Sequence, residues 1–120
     1  MSYLDNLMLK AYNDVLFMLD WNGDACAGFF CARNSKNCLN LFKPQKVRGL
    51  KDFDQTLINK RLRTHPIKYE NLDAKLFSNG PLWRGAVSKW LPKNHYVAHY
   101  NATPNSEKIN DMKKYGHWVI

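Results

Sequence analysis

The 120-residue chain carries 18 basic and 10 acidic side chains, a net charge of +8, with 45% apolar and 13% aromatic residues. That length supports a single domain, 1–120, and that apolar content builds a core, which excludes wholesale disorder. No apolar run reaches the roughly 18–20 residues of a membrane span and no secretory signal is read at the N-terminus, so a cytoplasmic protein without a membrane partner is expected.

Ser2 and Asp5 resemble a capping box. Leu4, Leu7, Met8, Ala11, Val15, Leu16 and Leu19 then recur at three- and four-residue spacing, which predicts an amphipathic helix over about residues 3–19. Asn22-Gly23 stops it, although the same pair is a hairpin signal that would make 15–21 and 25–32 two paired strands. Residues 25–32 are small, apolar and aromatic and suit either a buried helix or a buried strand. A loop is expected at 34–37, a short strand at 38–42 and a basic loop at 44–49. Asp52, Phe53, Leu57, Ile58 and Leu62 predict a second amphipathic helix over 51–63, ended by Pro66. Asn79-Gly80-Pro81 is turn chemistry. Strands are predicted at 82–90 and 95–100 with a turn at 91–94 between them, and a loop at 101–106. Residues 107–115 suit a strand or a short helix with Gly116 at its end, and 117–120 a last strand. The fold class expected is α+β, with N-terminal helices packed on a small antiparallel sheet built from 82–120.

Charge is unevenly spread. Residues 1–30 are net −3, residues 31–70 net +7 and residues 71–120 net +4. A basic middle of that density is the electrostatic footprint of a nucleic-acid binder, with RNA favoured, and Lys43, Lys46, Arg48, Lys60, Arg61 and Arg63 are the expected phosphate contacts. Lys113 and Lys114 add a second basic pair. Cys26, Cys31 and Cys38 form no CxxC pair and lie far from the nearest histidine, His65, so reduced thiols are expected and neither a metal nor another cofactor.

Leu62-Arg63-Thr64-His65-Pro66, then Asn79-Gly80-Pro81-Leu82-Trp83-Arg84-Gly85-Ala86-Val87, then Tyr96-Val97-Ala98-His99-Tyr100, then Tyr115-Gly116-His117-Trp118-Val119-Ile120 resemble the second half of the RelE/ParE-like toxins. The resemblance covers residues 55–120 and implies a small antiparallel sheet backed by helices. Its RNA-cleaving members place basic and histidine or tyrosine side chains on that sheet, which here implies Arg84 on its first strand and His117 on its last. Two departures stand out. Gly85-Ala86 follows the Trp-Arg pair where the family has a further basic residue, and Val97 replaces the arginine common inside the tyrosine-ended strand. RNA cleavage through the ribose 2′-OH needs a base, an acid and cations, so the expected activity is a metal-independent endoribonuclease centred on His117, assisted by Arg84 and His99.

Two other function classes fit parts of the chain. Thirteen asparagines and abundant lysine suggest an AT-rich source such as a phage or mobile element, whose small accessory proteins include inhibitors that bind a host protein. Trp21, Trp83, Trp90 and Trp118 would supply anchors for such a partner or stacking platforms for bases. Separately, Asp24-Ala25-Cys26-Ala27-Gly28-Phe29 with Gly116-His117-Trp118-Val119 resembles the nucleophile and base segments of NlpC-type cysteine peptidases, which implies Cys26 at a helix N-terminus facing His117.

Overall fold

The computed structural model describes residues 2–3, 6–7, 12–45, 54–80, 96–101 and 104–117. They fall into two compact units, Met1–Leu72 and Asp73–Ile120.

In the first unit, β1 (Val15–Leu19) and β2 (Ala25–Ala32) form an antiparallel hairpin. The predicted helix over 3–19 is therefore corrected, and the hairpin alternative carried by Asn22-Gly23 is what forms. Tyr3, Asn6 and Leu7 are helical, but Tyr12 has φ +50°, outside helical geometry, and a strand follows from Val15. The turn is built from its own polar side chains. Gly23 N–H donates to the Asp20 carbonyl at 3.0 Å with Gly23 at φ +89°, and Asp20 N–H donates to the Asp24 carbonyl at 2.8 Å. This is a three-residue hairpin loop in which glycine takes the left-handed position. Asp20 Oδ1 accepts from Trp21 N–H, and Asn22 Oδ1 from Asp24 N–H.

The register is broken inside the hairpin. Phe17 pairs with Phe30 but Met18 pairs with Cys26, so Ala27, Gly28 and Phe29 have no opposite number on β1. A bulge of this kind strands backbone groups that must find partners elsewhere. Two side chains on α2 (Asp54–Thr64) bond this strand, Gln55 at Ala27 inside the bulge and Asn59 at Ala25, which pairs with Leu19 but lies in the outer strand of the sheet. The Asn59 amide accepts from Ala25 N–H at 2.9 Å and donates to the Ala25 carbonyl at 2.8 Å, as a neighbouring peptide would. One helical turn earlier, Gln55 accepts from Ala27 N–H and donates to Asp20 Oδ2 at 2.7 Å.

Between the hairpin and α2 lies α1 (Lys36–Leu41), where a loop and a strand are expected from the sequence. Ser35 caps it, accepting from Cys38 N–H. After α2, which ends at Thr64 just ahead of Pro66, β3 (Tyr69–Asn71) runs parallel to β1 and completes a mixed sheet of order β2-β1-β3. Val15 and Phe17, with Ala25, pack on Cys38, Leu41, Ile58 and Leu62 of the two helices. Leu16, Met18 and Cys26 on the other face are also buried. Asp14 ties these pieces together. Its carboxylate accepts from Ser35 Oγ, Asn37 Nδ2 and Lys68 N–H, and its carbonyl accepts from Arg33 N–H.

In the second unit, β4 (Phe77–Asn79) and β5 (Val97–His99) pair in parallel, Phe77 opposite Val97 and Asn79 opposite His99. The sheet described in this unit is therefore parallel and not antiparallel, while the expected antiparallel partner of 95–100, the strand at 82–90, and most of the last strand at 117–120 lie outside the described residues. The turn predicted at 91–94 lies outside them too. α3 (Asn105–Lys114) follows, the helical option for 107–115. Among the described residues the protein is thus α+β, with a strand hairpin over 15–32 where the sequence predicts a long N-terminal helix and with mixed and parallel pairing in place of an antiparallel sheet.

Candidate active site around His117

The end of α3 places His117. Gly116 takes φ +74°, its N–H donates to the Lys113 carbonyl, and His117 N–H donates to the Met112 carbonyl at 2.7 Å. That pair of bonds is the Schellman termination, with glycine at the one position that requires a left-handed backbone and His117 immediately after it. The imidazole is then held from two sides. Its Nδ1 lies 2.6 Å from the Tyr100 hydroxyl, and its ring stacks against Tyr115 with centroids 6.4 Å apart. Tyr100 follows directly on β5 and is buried. Burial, then the Asp111 carboxylate and Tyr115, push its phenol up to about 12, so at neutral pH it is a hydroxyl and not a phenolate. Lys114 lies 5.5 Å from the Tyr115 ring centroid, and Lys113 and Lys114 are exposed in the last turn of α3.

Of the three expected catalytic residues, His117 stands in this cluster and His99 in β5, one residue before Tyr100. Arg84 lies outside the described residues, as do Lys46 and Arg48. The phenol at hydrogen-bond distance from His117 belongs to Tyr100, which sequence reasoning used only to mark a strand end.

The basic positions of the first unit differ among themselves. Lys43, Lys60 and Arg63 are exposed. Arg61 instead spends its Nη1 on the carbonyls of Leu41 and Lys43, at 2.8 and 2.6 Å, so part of its guanidinium ties the end of α1 to α2. Arg61 and Arg63 fall in the last turn of α2, where the helix dipole favours cations by about 0.3–1 kcal/mol each.

The peptidase arrangement is not what the fold provides. Cys26 lies in a strand and not at a helix N-terminus, and it is 2% exposed. Burial pushes its thiol up, with Asp20 and Asp54 acting in the same direction against the Gly28 and Phe29 amides, which opposes thiolate formation. Among the described residues no group of three or more His, Cys, Asp or Glu is gathered as metal ligands would be. No helix among them is long and apolar enough to cross a membrane.

No family model, curated protein or solved structure matches this chain. Fold class and site geometry are therefore what define it: an α+β protein in which a buried tyrosine meets a half-buried histidine beside two exposed lysines.

Proposed function

We propose that the chain is a small basic RNA-binding protein, and that the cluster around His117 gives it a metal-independent endoribonuclease activity of the RelE-like kind. The observation carrying this reading is the His117–Tyr100 contact, 2.6 Å long, next to Lys113 and Lys114. A neutral phenol both donates and accepts; in the tautomer that carries its proton on Nδ1, His117 donates to the Tyr100 oxygen and Nε2 is the nitrogen that exchanges a proton with RNA. Nε2 takes the proton of a ribose 2′-OH as that oxygen attacks the adjacent phosphorus. The resulting imidazolium returns the proton to the departing 5′-oxygen, leaving a 2′,3′-cyclic phosphate and a 5′-hydroxyl with no water consumed. Lys113 and Lys114 offset the charge that builds on the phosphorane oxygens. Lys43, Lys60 and Arg63 of the first unit bind phosphates, each adding about 0.7 to the salt slope on a single strand.

The test is RNA cleavage with a chelator present, with and without ribosomes, alongside thermal melting. His117→Ala should lower the rate on the order of a hundred- to ten-thousand-fold without early unfolding. Tyr100→Phe should retain the fold and lose part of that rate. Cleavage that survives His117→Ala, or that requires added divalent metal, refutes the mechanism.

A second reading has its own observation. Trp21 is 71% exposed at the tip of the β1–β2 hairpin, while the neighbouring Asp20 is buried and bonded to Trp21 N–H and Gln55. An exposed tryptophan in the acidic first segment, net −3 over residues 1–30, suits a basic protein partner better than a phosphate backbone. A stoichiometric complex with a host protein that is lost in Trp21→Ala, in a protein that binds no RNA, would favour the accessory-inhibitor function.

A further inference from the structure

The first unit holds an open pocket of about 280 Å³ between β2, the end of α1 and α2. Ala27, Leu41, Leu57 and Ile58 give it aliphatic walls, and Phe30 and Phe42 give it an aromatic side. Those two rings are stacked, centroids 4.6 Å apart and planes 20° from parallel, and Phe30 remains 40% exposed. The polar residues of the rim are Lys43, Asp54 and Arg61. Arg61 holds the wall in place through its two bonds to the Leu41 and Lys43 carbonyls, so the pocket is preorganised on both sides of Phe42.

We infer that this pocket binds one unpaired base of a single-stranded RNA, stacked on Phe30, with Lys43 on the adjoining phosphate and Asp54 accepting from the base's exocyclic amine. The inference rests on the RNA-binding reading above and gives it a base-recognition site separate from His117. The volume lies just under the usual range of ligand pockets, about 300–1,000 Å³, which suits one ring system and not several. Stacking on an aromatic ring is the sequence-tolerant term in single-strand binding, and a cation beside it follows the backbone. Charge complementarity selects this occupant over others. An aliphatic side chain of a protein partner would fill the walls and leave Lys43 and Asp54 unmatched, while an acidic peptide would meet Asp54. A nucleotide brings an anion for Lys43 and, in cytosine or adenine, an amine for a carboxylate. Lys43 and Arg61 at the pocket belong to residues 31–70, a stretch of net +7 in the sequence, and supply potential that attracts such a strand.

The experiment is fluorescence anisotropy with labelled octamers of rC, rA and rU, a duplex RNA, a single-stranded DNA of the same sequence, and free CMP, each over a salt series. Phe30→Leu keeps an apolar side chain and removes the π face. It should weaken rC and rA octamers by about 5- to 100-fold with the salt slope unchanged. Lys43→Gln should instead lower that slope by about 0.7. Asp54→Asn should erase the preference of rC and rA over rU, and because Asp54 is exposed this variant carries the test if Phe30→Leu melts early. Equal loss on single-stranded DNA supports the base pocket and shows that the ribose is not read. Octamer binding that Phe30→Leu and Asp54→Asn leave intact overturns the pocket while the RNA-binding reading stands. Wild-type protein that binds no strand at low salt overturns both, and a response to CMP alone overturns the strand assignment.

Discussion

Asn59 offers the sharpest test of how the first unit is held together. It is 6% exposed and its amide makes both bonds that the bulged strand needs at Ala25. In Asn59→Leu the Ala25 N–H and carbonyl lose their partners inside the protein, at about 1–3 kcal/mol for each stranded group. Part of that is offset because leucine carries no amide to desolvate, which leaves a net cost of about 3 kcal/mol. Against a total stability of about 5–15 kcal/mol this is large, and with a urea slope of about 1–3 kcal/mol/M it moves the midpoint by roughly 1–3 M. The Ala25 amide should also exchange its hydrogen faster than its neighbours, because its acceptor is gone. Asn59→Asp adds a signed prediction. One carboxylate oxygen still accepts from Ala25 N–H, but the other faces the carbonyls of Ala25 and Gln55, both acceptors, and is satisfied only when protonated. The folded-state pKa of the new group therefore rises above its unfolded value of about 3.9. The stability it contributes is present below that value and is lost as pH rises through the folded pKa. The gap between Asn59→Asp and wild type should widen from pH 4 to pH 7, while the Asn59→Leu gap stays constant. A cost below about 1 kcal/mol for Asn59→Leu, or a flat gap for Asn59→Asp, would show that the amide does not stand in for a neighbouring strand at Ala25.

Two further outcomes follow from other joints. Partial burial raises the Asp14 carboxyl, but the Lys68 amide, Ser35, Asn37 and Arg33 outweigh it and hold the group below its ordinary value, so its contribution is present above about pH 4 and disappears as pH falls through the lower folded pKa; denaturant titrations should show that dependence shrinking in Asp14→Asn, and an unchanged acid limb would refute the assignment. At Gly80 an added Cβ would run into the backbone carbonyl oxygen of Asn101 and come within 2.9 Å of its Oδ1, so Gly80→Ala should cost about 1–3 kcal/mol or more in thermal melting, and a neutral substitution would mean that the Gly80–Asn101 approach does not constrain the fold.

The parts of the fold legible in the sequence are those fixed by neighbours in the chain. Pro66 and the Ile58/Leu62 spacing locate α2, and Gly116 marks the end of α3, because a helix terminus is decided by backbone geometry within a few residues. The Asn22-Gly23 turn is likewise local. β1 was hidden for a definite reason. Val15, Leu16, Phe17 and Met18 are all fully buried, so the strand shows none of the apolar–polar alternation of a half-buried strand, and an unbroken apolar run also satisfies a three- and four-residue helical spacing. What turns that run into a strand is the Asp14 junction, whose partners Ser35, Asn37 and Lys68 lie 21, 23 and 54 residues away. β3 was invisible for the opposite reason, since Tyr69, Glu70 and Asn71 are all exposed and its only signature is pairing with β1.

The same distinction between local and remote partners runs through the candidate site. Gly116-His117 is readable as a histidine delivered by a helix end, because the Schellman bonds span five residues at most. The Tyr100 phenol that fixes the imidazole is 17 residues away and depends on where β5 ends. Amphipathic reasoning misplaces Gln55 and Asn59 altogether. It assigns polar residues to the solvent side of α2, yet Asn59 is as buried as Ile58 and Leu62. The reason lies on β2, the outer strand of the sheet, where Asn59 bonds the Ala25 N–H and carbonyl and Gln55 bonds the Ala27 N–H inside the bulge. A polar pair four residues apart on the inner side of a helix is thus evidence for edge or irregular backbone opposite it. Here that irregular backbone carries Ala27 and leads into Phe30, both of which line the pocket assigned to an RNA base. The bulge that costs the sheet three paired residues therefore lies in the same stretch of β2 that lines the pocket.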